Sequence, residues 1–219
     1  MKILVVDVGG SHVKCLCTGH KTPRKFESGA QMTPDEMVEG VLKITRGWRY
    51  TAVSIGFPGV VRDGEAVKEP HNLGPGWVGF DFEAAFSRPV RIINDAAMQA
   101  LGAYERGTML FLGLGTGLGS ALVVDGRVAA MELGHLRYAR KRTYEDHLGQ
   151  RGLERQGEKK WRLKVNEVVE GFRLALLPDD VVLGGGNVRK LKRMPPGARR
   201  GGNADAFRGG FRLWEAKED

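Results

Sequence analysis

Two stretches of this chain, about a hundred residues apart, repeat one design: an apolar strand, a turn built from glycine, and a return strand. The first runs through residues 3–6, Asp7-Val8-Gly9-Gly10-Ser11 and residues 12–17. The second runs through residues 109–112, Gly113-Leu114-Gly115-Thr116-Gly117-Leu118-Gly119 and residues 120–124. β-Branched and apolar side chains dominate the strands, as partly buried pleats favour. Helix–strand units follow each occurrence. In the first half, residues 24–28 read as a third strand. Thr33-Pro34-Asp35-Glu36 then starts a helix, with Thr33 as N-cap, Pro34 at the first position and Glu36 closing a capping box. Residues 50–57 form an apolar strand stopped by Pro58-Gly59, residues 69–80 a loop, residues 90–93 a strand and residues 95–105 a helix. In the second half, Asp125-Gly126 suits a type I′ hairpin into residues 127–131. Residues 137–160 read as a loop with some helix, and residues 164–177 as a helix ended by Pro178. Residues 181–183 form a strand entering Gly184-Gly185-Gly186, and residues 204–215 a closing helix. The pattern predicts an α/β chain of two duplicated lobes, 1–106 and 107–219, facing one cleft, with the final helix packing back on the first lobe.

Composition narrows the setting. At 219 residues, 42% apolar and 27% charged, the chain can bury a real core, which excludes wholesale disorder. No apolar run approaches the ~18 residues of a membrane span, so no membrane partner is expected. Asp7 interrupts the first apolar run too early for a signal peptide. The two cysteines, Cys15 and Cys17, sit two apart on one expected strand, where a mutual disulfide would be strained. Two lone thiols favour a reducing compartment, so a cytoplasmic protein is expected. The net charge of +8 is one-sided: residues 1–126 hold 13 basic and 13 acidic side chains, residues 127–219 hold 21 and 13. That asymmetry suggests a polyanionic partner.

Glycine turns remove side chains so that backbone N–H groups can face a phosphate. Gly9, Gly10 and Ser11 form one candidate cradle, and Gly115, Thr116 and Gly117 the other, with Ser11 and Thr116 adding hydroxyls. Asp7 would approach a phosphate-bound Mg²⁺, which takes one or two carboxylates and keeps waters. No Gly-x₄-Gly-Lys-Ser/Thr loop occurs, and the alternating glycines of 113–119 do not satisfy the dinucleotide spacing. Asp95, in Ile93-Asn94-Asp95-Ala96, lies where a strand feeds a helix, so a positive helix terminus favours its ionised form. Asx residues at such positions cap helices more often than they catalyse. Glu132-Leu133-Gly134-His135 leaves the second hairpin and could reach the same cleft. A helix-start carboxylate with Asn94, Glu132 and His135 is rich in hydroxyl-binding groups and poor in nucleophiles. Such a set suits a polyol held for phosphoryl transfer, with one carboxylate orienting the attacking hydroxyl.

Six segments occur in the order seen in one family. They are Asp7-Val8-Gly9-Gly10-Ser11-His12-Val13-Lys14, Gly56-Phe57-Pro58-Gly59, Asn94-Asp95-Ala96, the 113–119 glycine run, Glu132-Leu133-Gly134-His135 and Leu183-Gly184-Gly185-Gly186. Over residues 1–187 the chain resembles ROK-family sugar kinases of the actin/hexokinase-like (ribonuclease H-like) superfamily, and most resembles their bacterial polyphosphate glucokinase branch. The resemblance implies that Asp95 is the general base and that Asn94, Glu132 and His135 hold sugar hydroxyls. It implies that Gly9, Gly10, the 115–117 turn and the neighbouring Lys14 surround the phosphoryl group, with Asp7 near Mg²⁺, directly or through water. Gly184, Gly185 and Gly186 would lie against the donor, and Asn72, in the loop before Trp77, would touch the sugar. The implied substrates are a hexose, glucose first, and polyphosphate or ATP; a homodimer is in keeping with the family. Many members carry a Cys-x-Cys-Gly-x-x-Gly-Cys zinc run after the Gly-His pair. This chain has no cysteine beyond Cys17, so no zinc site is expected. Family repressors carry an N-terminal helix-turn-helix, which is not expected ahead of this first strand.

The basic residues cluster at Arg137, Arg140, Lys141, Arg142, Arg151, Arg155, Lys159, Lys160, Arg162 and Lys164, and again over 189–193 with Arg199 and Arg200. A basic track would help a chain-like phosphate donor by counterion release. Nucleic acid is the competing partner, but stacking aromatics are sparse there and no nucleic-acid motif is evident, so it ranks below polyphosphate or ATP. Two other readings stand beside the kinase: a non-catalytic sugar or phosphate sensor of the same fold, and a polyanion-binding protein.

Overall fold

The structure is a computed structural model and describes residues 1–139, 141–202 and 204–215; Arg140 of the basic cluster lies outside the described residues. The chain divides into two compact units. One comprises Met1–Met98 with the segment from Ala206, the other Gln99–Asp205.

The first unit opens with β1 (Ile3–Val8), β2 (His12–Cys17) and β3 (Arg24–Glu27), which pair antiparallel in sequence order. Helix α1 (Pro34–Ile44) follows. Its N-cap is Thr33, whose hydroxyl accepts the Glu36 amide at 3.3 Å while the Glu36 carboxylate accepts the Thr33 amide at 2.9 Å. Then come β4 (Ala52–Phe57), the small hairpin of β5 (Val61–Arg62) and β6 (Glu65–Ala66), α2 (Phe82–Phe86), β7 (Val90–Asn94) and α3 (Asp95–Ala103). The sheet order is β3-β2-β1-β4-β7, with β1, β4 and β7 parallel. All six residues of β4 are buried, as a central strand covered on both faces requires. Leu4, Val6 and Val8 of β1 turn to the face covered by Met37, Val38 and Val41 of α1. Ile3 and Val5 turn to the other face, with Met98, Ala206 and Phe207.

That second face is closed by the last helix, α6 (Asp205–Arg212), shorter than the expected 204–215. A Cβ on Gly210 would overlap the Val5 side chain, so glycine permits the close approach. Ser54, the one hydroxyl of β4, is fully buried and satisfied there. It donates to the Gly210 carbonyl at 2.6 Å and accepts the Trp214 indole N–H at 2.8 Å. Cys15 and Cys17 are two apart on β2, so they share a face, and both are buried free thiols.

The second unit repeats this topology. β8 (Thr108–Leu114), β9 (Leu118–Val124) and β10 (Arg127–Met131) are antiparallel neighbours, and β13 (Asp180–Gly184) and β14 (Ala198–Arg200) run parallel to β8. The order β10-β9-β8-β13-β14 matches that of the first sheet position for position. Between them lie the hairpin of β11 (Arg137–Ala139) and β12 (Arg142–Thr143), α4 (Tyr144–Leu148) and the long α5 (Gln150–Leu176). Trp161, Val165, Val168, Val169 and Phe172 recur on one face of α5 and pack on Leu110, Leu112, Val181 and Leu183. The Asp125-Gly126 hairpin has the positive φ at both positions that a type I′ turn needs, 47° and 74°.

Three expectations change here. The glycine turn is shorter than 113–119: Gly113 pairs with Gly119 and Leu114 with Leu118, leaving only Gly115-Thr116-Gly117 outside the ladder. The helix expected from residue 164 starts at Gln150, because Leu153 and Trp161 anchor its first turns in the core. Gly157 interrupts it at φ 72°. The preceding stretch is structured rather than loop, since Thr143 and Asp146 form a capping box at α4. The strand β14 was not foreseen. It is a three-residue edge, and the turn before it closes with the Ala198 amide donating to the Pro195 carbonyl at 3.0 Å.

Candidate active site

In the first unit the candidate residues gather at the C-terminal ends of three parallel strands, where open α/β sheets bind ligands. Asp7 of β1 stands in register with Gly56 of β4. A Cβ placed on Gly56 would lie 3.6 Å from the Cα of Asp95. Asp7 and Asp95 therefore flank the same glycine. Asp95 is the first residue of α3, half-buried, with Oδ1 accepting the Ala96 amide at 2.7 Å. The capping role falls to its neighbour: Asn94 Oδ1 accepts the Ala97 amide at 3.0 Å, and Asn94 Nδ2 donates to the Gly59 carbonyl at 3.0 Å. Asn94 thus ties the Gly56–Gly59 turn to the start of α3 and holds the Asp95 backbone from both sides.

The Asp7 carboxylate is mostly enclosed, at 16% side-chain exposure, and Lys14 Nζ lies 3.6 Å from it. Burial pushes its pKa above the ordinary carboxylate range, and the Lys14 charge pulls it partly back. The glycine turn beside it is closed by the Gly9 amide donating to the His12 carbonyl at 3.1 Å. It is braced by Ser28, whose hydroxyl donates to the Gly9 carbonyl at 2.6 Å and whose amide donates to the Ser11 carbonyl at 3.1 Å. A Cβ on Gly10 would come within 3.2 Å of the Asn72 Cβ, so the Asn72 loop lies directly on this turn. That loop is shaped by Glu69, which accepts the amides of Gly76 and Trp77, both at 3.1 Å. Trp77 is fully buried against Phe57 and Phe82.

In the second unit the turn 115–117 is held on several sides. Gly115 N–H donates to the Gly117 carbonyl at 3.1 Å. Asn187, just past the 184–186 glycines, donates to the Gly115 carbonyl at 3.1 Å and to the Gln150 side chain at 2.9 Å. The Gln150 amide, first in α5, donates to the Thr116 carbonyl at 3.1 Å. Gly185 has φ 81°, and a Cβ there would overlap the Leu114 carbonyl, so this position needs glycine. Glu132 and His135 bracket a short 3₁₀ turn, Leu133–His135, with Glu132 Oε2 3.4 Å from His135 Nδ1. Both are about half exposed. Buried Ser120 anchors this turn, donating to the Met131 carbonyl at 2.7 Å and accepting the Leu133 amide at 3.1 Å.

Unit by unit, the predicted residues thus fall into two local groups. One holds Asp7, Gly9, Gly10, Ser11, Lys14, Asn72, Asn94 and Asp95; the other holds residues 115–117, 132–135 and 184–186. Sequence reasoning missed the braces Ser28, Glu69, Asn187 and Glu145. Only the capping box from Thr143 to Asp146 offered a local signal, since it places Glu145 on a helix. Among the described residues no group of three His, Cys, Asp or Glu side chains could hold a metal. The single carboxylate of Asp7, buried beside a glycine turn, nonetheless fits Mg²⁺ that arrives with a phosphate and keeps most of its waters.

The doubled sheet order and the parallel-strand ends define an actin/hexokinase-like α/β fold. A solved structure of inorganic polyphosphate/ATP-glucomannokinase from Arthrobacter sp. strain KM shares it, with TM-score 0.82 and 22% identity over 95% of this chain and 96% of that one. Residues 3–152 match the ROK family, and the chain belongs to that family. It is 27% identical over 217 residues to a polyphosphate glucokinase of Mycobacterium tuberculosis (strain CDC 1551 / Oshkosh), covering 87% of this chain and 80% of the relative. It is 26% identical over 212 residues to the polyphosphate glucokinase of Mycobacterium leprae, of whose length it spans 65%.

Proposed function

We propose that the chain is a sugar kinase that moves a phosphoryl group from polyphosphate or ATP to a hexose hydroxyl, with glucose the first substrate to test. The observation that carries this reading is the placement of Asp7 and Asp95 around Gly56 at the ends of β1, β4 and β7. Asp95 accepts the proton of the attacking hydroxyl as its oxygen bonds to phosphorus and the bond from phosphorus to the donor oxygen breaks. Asn94 supports Asp95 and offers its remaining lone pair to the sugar, and Asn72, Glu132 and His135 hold further hydroxyls. The amides of Gly9, Gly10 and Ser11 and those of Gly115, Thr116 and Gly117 receive the phosphoryl oxygens, and Lys14 adds positive charge. Residues 184–186 lie along the donor. Asp7 holds Mg²⁺, which neutralises the phosphate charge when bound. The positive excess of residues 127–219 favours a long polyanionic donor.

The test is the purified chain with glucose and Mg²⁺, assayed in parallel with ATP and with polyphosphate by coupled detection of glucose 6-phosphate. Turnover with either donor, lowered by about 10²–10⁴-fold in Asp95→Asn, is the expected result. Full turnover in that variant overturns the assignment of the base. No product from any hexose with either donor overturns the kinase reading.

A further inference from the structure

Glu145 has no part in the chemistry above, yet it touches both candidate turns of the second unit. Its Oε2 accepts the amide of Leu118, the residue where the 115–117 turn enters β9, at 3.0 Å. The same carboxylate fills the space that a Cβ on Gly117 would need. Its own Cβ lies 3.5 Å from where Gly134, the middle of the Glu132–His135 turn, would carry a side chain. Gly134 in turn sits on the Leu118 carbonyl, 2.7 Å from its would-be Cβ. The Glu145 backbone carbonyl accepts the Gly149 amide at 2.8 Å, and the next amide, Gln150, is the one bonded to Thr116. On charge alone a carboxylate beside an anion-binding turn is unfavourable. Its place there calls for a geometric gain.

We infer that Glu145 is a positioning residue that couples the 115–117 turn to the Glu132–His135 turn, so that filling one orders the other. The inference rests on reading those turns as phosphate and sugar sites. The carboxylate sets where the phosphate turn stands on α4, and Gly134 rests on the same residue, so a shift of either turn is felt by the other. Glu145→Ala cuts the tie to Leu118 and keeps the helix, whereas Glu145→Gln retains an acceptor for the Leu118 amide.

Two measurements test this. In amide exchange followed by NMR, Glu145→Ala speeds Leu118 exchange by about tenfold, while Glu145→Gln does not. Adding polyphosphate or ATP slows exchange of the His135 amide in the wild type and in Glu145→Gln but not in Glu145→Ala. In kinetics, raising the donor lowers the hexose KM by about fivefold in the wild type and in Glu145→Gln, and the two substrates become independent in Glu145→Ala. A purely structural residue would instead lower the melting temperature and speed all amides together. That outcome overturns the coupling, as does unchanged Leu118 exchange in Glu145→Ala, or a His135 amide that ignores both donors in the wild type. A wild type without turnover refutes the kinase reading, and the exchange data then decide the coupling on their own.

Discussion

Replacing Gly115 by alanine separates what the fold asks of the glycine turn from what a ligand asks of it. Glycine is needed at Gly185 because φ is 81° and a Cβ would overlap the Leu114 carbonyl. At Gly117 it is needed because a Cβ would overlap the Glu145 carboxylate. Neither reason applies to Gly115. Its backbone is outside the left-handed region, and nothing stands within 4 Å of an added Cβ. Alanine there keeps both of the residue's backbone hydrogen bonds, to Gly117 and from Asn187. It also restricts the unfolded chain, which stabilises by about 0.4–1 kcal/mol. For a chain of this size that is a rise of ~1–4 °C in melting temperature. If phosphate oxygens approach this backbone, the same methyl group displaces one charge-assisted hydrogen bond worth about 1.5–3 kcal/mol. The donor kcat/KM should then fall by ~10–100-fold with the hexose KM unchanged. Thermal scanning, together with the coupled assay at varied donor, reads both quantities on one preparation. A lower melting temperature would show a fold requirement not visible in the geometry, and an unchanged donor kcat/KM would remove Gly115 from the phosphate site. Gly185→Ala is the contrast, losing at least ~1–2 kcal/mol to left-handed strain before any clash is counted.

Asn94→Ser keeps an acceptor for the Ala97 amide but loses the bond to the Gly59 carbonyl. It should cost about 1 kcal/mol in urea denaturation, and Asn94→Ala about 2; equal losses would deny the capping role. Burial raises the Asp7 pKa in the folded chain, so the protonated form is favoured there, and this group's destabilisation grows as pH rises through its folded pKa. Asp7→Asn should therefore melt higher than the wild type at pH 7, by a margin that shrinks on acidification, while losing Mg²⁺-dependent turnover; a lower melting point at pH 7 contradicts the burial argument. His147, whose ring nitrogens are buried, has its pKa pushed below the ordinary 6.5 by desolvation, with the Arg155 charge adding to it. Its stabilising contribution is present above pH 6.5 and is lost on acidification, so His147→Phe should flatten the melting curve between about pH 7 and 5. An acid slope identical to the wild type would assign that loss to other groups.

What was legible in the sequence was local. The capping box at Thr33, the Asp125-Gly126 hairpin and the alternation in β1 and β2 each depend on neighbours a few residues away, and each formed where expected. The start of α5 was hidden because Gly149, Gly152 and Gly157 lower helix propensity just where Leu153 and Trp161 find a core to bury in. Tertiary packing overrode the local signal. The braces of the candidate site were hidden for a related reason. Asn187 reaches Gly115 across 72 residues, and Glu145 reaches Leu118 across 27. Asn and Glu at such positions look like any surface residue until the fold brings them to a partner.

The glycines show the limit most sharply. In the sequence Gly115, Gly117 and Gly185 belong to similar runs, and each suggests a phosphate cradle equally well. In the fold, Gly117 and Gly185 are answered by neighbours, Glu145 and Leu114, that leave no room for a side chain. Their presence is explained by packing and says nothing about a ligand. Gly115 alone of the three faces open space in an ordinary backbone conformation. The weight of the phosphate reading in this unit therefore rests on the glycine that the fold does not require, which is why substitution at that one position is the decisive experiment.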